Sequence, residues 1–305
     1  MSTGRATTLG DGAAQGQSTH AKLRIFSSET AGPLTYFVSR HGGSEEVSPT
    51  TRNADGTLQN PLILRLAHPV DLSSDDRAVL MAITADMREV PRRTDIIHEG
   101  DRPDCVRVVM EGIACRYKLL RDGSRQITAF LVPGDLCNPH ITRLQEMDHG
   151  IASVSPCMIA EIPPSTIRKL AARHPRVMDG LVWASLADES VMREWIVGLG
   201  RRMADRNMAH LICELYARLE AVELVEDQSF HMPITQNELS DALGITTVHT
   251  NRTMADLRDR GLIAFEGRWL KVLDLAGLRD LGQFNSQYLH LQRQRPSSDL
   301  DTAEG

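Results

Sequence analysis

The sequence predicts an α+β chain: an antiparallel β-roll, then a long helix, then a helical unit closed by a β-hairpin. Three observations carry this reading. Between Met87 and Ile162, short apolar runs are cut at about ten-residue spacing by Gly-Asp, Asp-Gly and Pro-Gly turn signals, with no βαβ alternation. From Ile167 to Leu199 the apolar residues recur instead at three- and four-residue steps. Beyond residue 200 come helical patterns interrupted at Gly244, then alternation around Glu266-Gly267-Arg268, a hairpin signal.

Composition bounds the possibilities. With 305 residues, 41% hydrophobic and 24% charged, the chain reads as a globular protein of about two domains. A formal net charge of -6 gives no global attraction to nucleic acid or anionic lipid, so any anion-binding surface must be local. No apolar run is long enough for a bilayer, and none follows the first arginine, so no membrane partner and a cytoplasmic location are expected. The five cysteines are odd in number and widely spaced, which favours free thiols over a disulfide framework.

Taken in order, residues 1–57 are rich in Gly, Ser, Thr and Gln and lack a sustained period, so an unstructured extension is expected there. The roll is assigned to 58–166, entered by a helix over "LSSDDRAVLMAI" with a serine N-cap. Residues 167–199 form the long helix. Leu181, Ala184, Val191 and Trp195, with Asp188 in the same series, read either as a face packed on the chain's own roll or, as preferred here, as the seam of a homodimer. "GLGRR" at 198–202 reads as a hinge. A second folded unit spans 200–281, and 282–305 is left as a C-terminal tail.

In that last unit, "MADRNMAHLICELYARLEAV" is expected to be amphipathic, with Met208, Leu211, Ile212, Leu215 and Leu219 inward. Thr235 and Glu238 form a capping box for the next helix, which buries Leu239, Ala242 and Leu243 and stops at Gly244. Ile245 fills the corner and Thr246 or Thr247 caps the following helix, with Thr250, Met254 and Leu257 inward. Thr247, Val248, His249, Asn251 and Arg252 then stand on the outer face of its first turns. That suits the DNA major groove, where Arg reads guanine, Asn reads adenine, and a valine meets a thymine methyl. Arg268 in the hairpin joins this surface, completing a winged helix-turn-helix. Residues 200–273 carry 9 basic and 11 acidic side chains, so the contacts must come from distribution; the acids of "ELYARLEAVELVED" are expected to face away.

These residues resemble the Crp/Fnr regulators over about 61–291. The resemblance rests on "EGDRPDCVRVVMEGIACRY" and "LVPGDL" in the roll, "ITQNELSDALGITTVHTNRTMADLRDRGLI" in the reader, and "FNSQYLHL" near the end. The reader and ending are most similar to a subgroup common in alphaproteobacteria. The resemblance implies a cyclic-nucleotide-binding-like sensor roll, a dimer helix, double-stranded DNA as ligand and RNA polymerase as partner. It places Gln236 and Thr246 at phosphate-contacting positions and Thr247, Val248 and Arg252 at base-reading ones. Only Arg252 keeps the widespread residue type, and Val248 replaces the usual Glu.

In this family a cyclic nucleotide is held by Gly-Glu-Leu after the "PGD" turn and by a later Arg-Ser or Arg-Thr. Here Gly134-Asp135 is followed by Asn138-Pro139, and His149-Gly150 stands where Arg-Ser would be. Both charge-assisted contacts are lost, so no cyclic nucleotide binding is expected and the effector is unknown. An iron-sulfur cluster lacks clustered cysteines, since residues 1–104 contain none. Haem or metal ligation by Cys137, His140, His149 and Cys157, or redox sensing by Cys137, is the alternative; buried cysteines and solvated histidines outweigh it, and no cofactor is expected. No nucleophile elbow, phosphate loop or HExxH motif supports an enzyme. The competing class is a scaffolding module that binds protein through an acidic winged helix.

Overall fold

The computed structural model describes residues 60–291, apart from 143 and 145. The expected extension over 1–57 and residues 292–305 lie outside the described residues. Asn60 opens the described chain by accepting hydrogen bonds from the Leu62 and Ile63 amides, which starts helix α1 (Pro61–Leu66). Helix α2 (Ser74–Ile83) begins at Ser73 with a reciprocal capping box to Asp76. The strands β1 (Met87–Val90), β2 (Asp95–Ile97), β3 (Val106–Glu111), β4 (Ala114–Leu119), β5 (Arg125–Leu131), β6 (Gly150–Ser153) and β7 (Cys157–Ile162) follow.

These strands form two antiparallel sheets, ordered β1-β7-β3 and β2-β6-β4-β5. The expected antiparallel roll is therefore present, with β1 and β6 added to the anticipated strands. The turn between β3 and β4 depends on Gly112 (φ 81°), where a Cβ would stand 2.2 Å from the Pro156 carbonyl oxygen. Between the sheets lie Val90, Ile97, Val109, Leu131, Ile151 and Ile159, all essentially inaccessible.

The helix expected over 167–199 is two helices, α3 (Pro164–Arg173) and α4 (Pro175–Arg201). Pro175 has no amide proton to donate and disfavours helical backbone at the residue before it, so the chain turns at His174. The His174 Nδ1 atom meets Asp76 Oδ1 at 2.9 Å, which ties this corner to α2. The hinge lies later than "GLGRR" suggests, at Arg202 and Met203, because α4 runs on through both glycines.

The residues expected at the seam pack largely within their own chain. Ala184 and Val191 are 3% and 7% exposed within one chain, and Leu181 and Trp195 pack on the same chain's core. Trp195 lies edge-on to Phe130 with ring centroids 5.9 Å apart and donates its indole N–H to Glu214. The apolar surface of Ala184 and Val191 is already used, whereas Leu181 and Trp195 are only partly covered. The exposed large apolar side chains of α4 are Val182, Leu186, Met192, Ile196, Val197 and Leu199 on the neighbouring faces.

Helix α5 (Ala204–Glu220) follows, then β8 (Ser229–His231), α6 (Gln236–Leu243), α7 (Thr247–Asp259), β9 (Ile263–Glu266), β10 (Trp269–Val272) and α8 (Leu275–Gly282). Strand β8 joins the expected hairpin in a three-stranded wing ordered β8-β10-β9. All five inward residues expected of α5 are buried, but burial continues round the whole helix from Met208 to Leu219. Glu214 at 0% exposure does not face away as its acidic surroundings suggest. It pairs with Arg218 at 3.0 Å, because the roll, α4 and the C-terminal strap enclose α5 on every side.

That strap is residues 283–291, which are not a loose tail. Leu289 is 3% exposed, and Tyr288 stacks on His210 and donates to Glu214 at 3.0 Å.

Candidate nucleic-acid interface

The helix-turn-helix is built by local chemistry. Thr235 accepts from the Glu238 amide while Glu238 accepts from the Thr235 amide at 2.7 Å, which fixes the start of α6. Gly244 (φ 65°) ends α6 in the left-handed region, Ile245 packs partly buried in the corner, and Thr246 caps α7 by accepting from the His249 amide. Leu239, Ala242, Leu243, Thr250, Met254 and Leu257 all face inward.

One consequence is that α7 turns a polar N-terminal face to solvent. Thr246, His249, Asn251 and Arg252 are exposed, and Val248 is 80% exposed, an unusual position for an apolar side chain with no structural need to be there. Thr247 is half-buried and donates to Asn237 Oδ1 at 3.2 Å, so it sits at the rim and not at the tip. Gln236, also half-buried, begins α6 with its Oε1 atom enclosed and unpartnered. Arg268 lies in the two-residue turn between β9 and β10, where Glu266 pairs with Trp269. Gln236, Asn251 and Arg268 border one cleft of about 720 Å³. Arg92, Arg93 and Arg258 border it too, and sequence reasoning singled out none of them; the signal available was "PRR" at a turn.

The roll is docked against this reader. Arg92 donates to the Pro233 carbonyl at 2.9 Å, Arg125 to Asp241 Oδ2 at 2.8 Å, and Gln126 to the Ala242 carbonyl at 3.3 Å. The deepest link is Asp135 of the Pro-Gly-Asp turn, 0% exposed, which pairs with Arg65 of α1 at 2.8 Å and with Arg218 of α5. Burial alone would lower the Arg218 pKa, but the Asp135 and Glu214 carboxylates outweigh it and hold the proton firmly.

The region after the Pro-Gly-Asp turn spends its polar groups internally. Asn138 is buried, accepting from the Arg107 amide at 2.8 Å and donating to the Cys105 carbonyl at 2.9 Å. Pro139 opens a short 3-10 turn beside it. Arg116 of β4 bonds the Leu136 carbonyl at 2.8 Å and Asp188 of α4 at 2.9 Å, filling the seam between roll and long helix. The Tyr117 ring covers Gly150, where a Cβ would stand 2.4 Å from it. His149 meets Asp148 at 2.7 Å, and its pKa is lowered by burial and by Arg116 despite that carboxylate.

The metal alternatives are not assembled into one donor set. Cys137 and Cys157 lie in the apolar cluster between the sheets, whereas His140 is exposed. Among the described residues no group of three His, Cys, Asp or Glu is placed to hold a metal ion. Burial pushes the thiols of Cys137 and Cys157 up to about 12, which leaves little thiolate for oxidation at neutral pH. These donors therefore do not fit a haem or metal site.

A roll of antiparallel strands, a long helix and a winged helix-turn-helix with a polar exposed second helix define a DNA-binding regulator with an attached sensor-type domain. Two family models agree: a cyclic nucleotide-binding domain matches residues 87–174 and a Crp-like helix-turn-helix domain matches 207–281. The transcriptional activator FnrL of Cereibacter sphaeroides is 29% identical over 187 residues, 60% of this chain and 75% of its own length. The nitrogen fixation regulation protein FixK of Bradyrhizobium diazoefficiens is 29% identical over 174 residues, 57% of this chain and 72% of its own. The solved structure of FixK2 from Bradyrhizobium japonicum superposes with a TM-score of 0.58 at 23% identity, covering 64% of this chain and 96% of that one. The chain belongs to the Crp/Fnr family of transcriptional regulators, which are not enzymes. No described helix is long and apolar enough to cross a membrane.

Proposed function

We propose that the protein is an intracellular, homodimeric transcription factor that reads a pseudo-palindromic DNA site without help from a cyclic nucleotide. The exposed N-terminal face of α7 carries this reading: Val248, a largely solvated apolar side chain, stands among Thr246, His249, Asn251 and Arg252. Thr246 and Gln236 hold phosphate, Arg252 reads guanine, Asn251 reads adenine and Val248 meets a thymine methyl, with Thr247 at the rim. Arg268 grips the backbone from the wing. The names of FnrL and FixK, an activator and a regulation protein, support the same class of work.

Two readers per site require two chains, and the exposed row Val182, Leu186, Ile196 and Leu199 of α4 is the surface for the second copy. RNA polymerase is the further partner that family membership suggests. Because Asn138, Asp135 and Arg116 are already satisfied inside the chain, no free group remains at those positions for ribose or cyclic phosphate. Selection of purified protein against random-sequence duplex pools tests the proposal. Enrichment of an inverted repeat with half-sites about one helical turn apart is expected. Failure to enrich any repeat at low salt, with cell extract supplying effectors, would favour the protein-binding scaffold.

A further inference from the structure

The reader unit is short of positive charge for a DNA-binding domain, yet one cleft on it is rimmed by arginines from two domains. Arg258 comes from α7 and Arg268 from the wing, while Arg92 and Arg93 come from the turn between β1 and β2 of the roll. Arg92 is engaged, bonding the Pro233 carbonyl and lying 3.4 Å from Glu238. Among the described residues, Arg93, Arg258 and Arg268 have no carboxylate within ion-pair reach, although the chain as a whole is acidic. Three uncompensated guanidinium groups round one concavity repel each other unless an anion sits between them.

The turn that presents Arg93 is built with care. Arg93 has φ 58°, a left-handed conformation that is unfavourable for a non-glycine residue. Ser153 on β6 holds it there. Its carbonyl accepts from the Arg93 amide at 3.0 Å, its hydroxyl donates to the Pro91 carbonyl at 2.6 Å, and the same hydroxyl accepts from the Thr94 amide at 2.9 Å. This bracing fixes the turn while Arg92 pins it to the reader, and the exposed Arg93 side chain borders the cleft beside Gln236 and Asn251. Gln236 and Asn251 are the residues assigned above to phosphate and base.

We propose that the sensor roll is itself part of the DNA interface: Arg93, with Arg258 and Arg268, binds a backbone phosphate of the duplex in this cleft. The inference rests on the DNA-reading function above and extends it, since the contact comes from outside the helix-turn-helix. It also ties the roll's position to DNA affinity, because any shift of the roll that breaks the Arg92 contact withdraws a phosphate ligand.

The test uses the full-length protein and its selected duplex. Arg93→Gly removes the charge and suits the left-handed turn, so the fold, followed by thermal melting, is kept. The slope of log K against log salt should become shallower by about 0.9 per half-site, with affinity falling by one common factor on all sequences. Arg93→Lys should restore the slope. An unchanged slope in Arg93→Gly, with wild-type protein still selecting its repeat, overturns this site alone. Wild-type protein that selects no repeat overturns the DNA-reading function and this contact with it. A free anion is the other source of phosphate: calorimetric binding of inorganic pyrophosphate that Arg93→Gly abolishes, with DNA affinity untouched, also overturns the proposal.

Discussion

Arg218 of α5 is ion-paired with Asp135 of the roll's Pro-Gly-Asp turn, and both are almost wholly buried. A residue of the reader thus completes the shell around the turn that in a nucleotide-responsive roll would hold the effector. Asp135→Asn leaves Arg218 and Arg65 buried with less compensation and should cost about 3 to 5 kcal/mol by urea unfolding. Glu146→Gln, which breaks the solvent-exposed pair with Arg102, should cost under about 1 kcal/mol. Equal costs would show that the buried pair is no more than a surface contact.

The same shell predicts the response to cyclic nucleotides. Calorimetry with cyclic AMP or cyclic GMP at about 10 μM, corresponding to roughly -7 kcal/mol of binding, should show no saturable heat. DNA affinity should not change on addition of either, since a ligand shifts a conformational equilibrium only by its differential affinity. A saturable isotherm would mean that Arg116 and Asn138 release their internal partners to the ligand.

Arg252 is exposed on α7 and has no structural partner among the described residues, so its removal should leave stability within about 0.5 kcal/mol. Arg252→Ala should lose about 1 to 3 kcal/mol of binding and relax preference at one guanine per half-site. A uniform loss over all sequences would place Arg252 on phosphate instead.

Assembly separates two faces of α4. Ile196 is 64% exposed, so Ile196→Glu should keep the fold while sedimentation shows monomers with weakened DNA binding. Val191 is buried in the chain, so Val191→Glu should lower the unfolding midpoint first. A dimeric Ile196→Glu would move the contact off this row.

The thiols give a pH prediction. Burial raises Cys115, Cys137, Cys157 and Cys213 to about 12 in the folded protein. A group raised on folding stabilises the fold below its unfolded value, near 9, and that contribution is lost as pH climbs from about 9 to 12. Alkylation by iodoacetamide at pH 8 should therefore be slow in native protein and fast after unfolding. Rapid labelling of Cys137 in the native state would reopen redox sensing.

Much of this molecule is legible in the chain because short-range rules decide it. The Thr235-Glu238 capping box, the left-handed stop at Gly244, the Thr246 cap and the Gly267 turn all involve residues within a few positions of one another, so spacing alone located the helix-turn-helix and wing. The departure from an ordinary nucleotide cassette is equally local, since it lies in the residue types at Asn138 and His149. Long-range packing decided the rest. A helical stripe shows that Leu181, Ala184, Val191 and Trp195 share a face, but not whether the surface opposite is Leu66, Phe130 or a second chain. Glu214 looks solvated beside its acidic neighbours, yet α5 is enclosed on all sides and the carboxylate finds Arg218, Trp195 and Tyr288. Arg93 and Arg268 are 175 residues apart in the sequence and share one cleft only because the roll docks on the reader. Periodicity fixes which side chains point together; only the tertiary fold fixes what they point at.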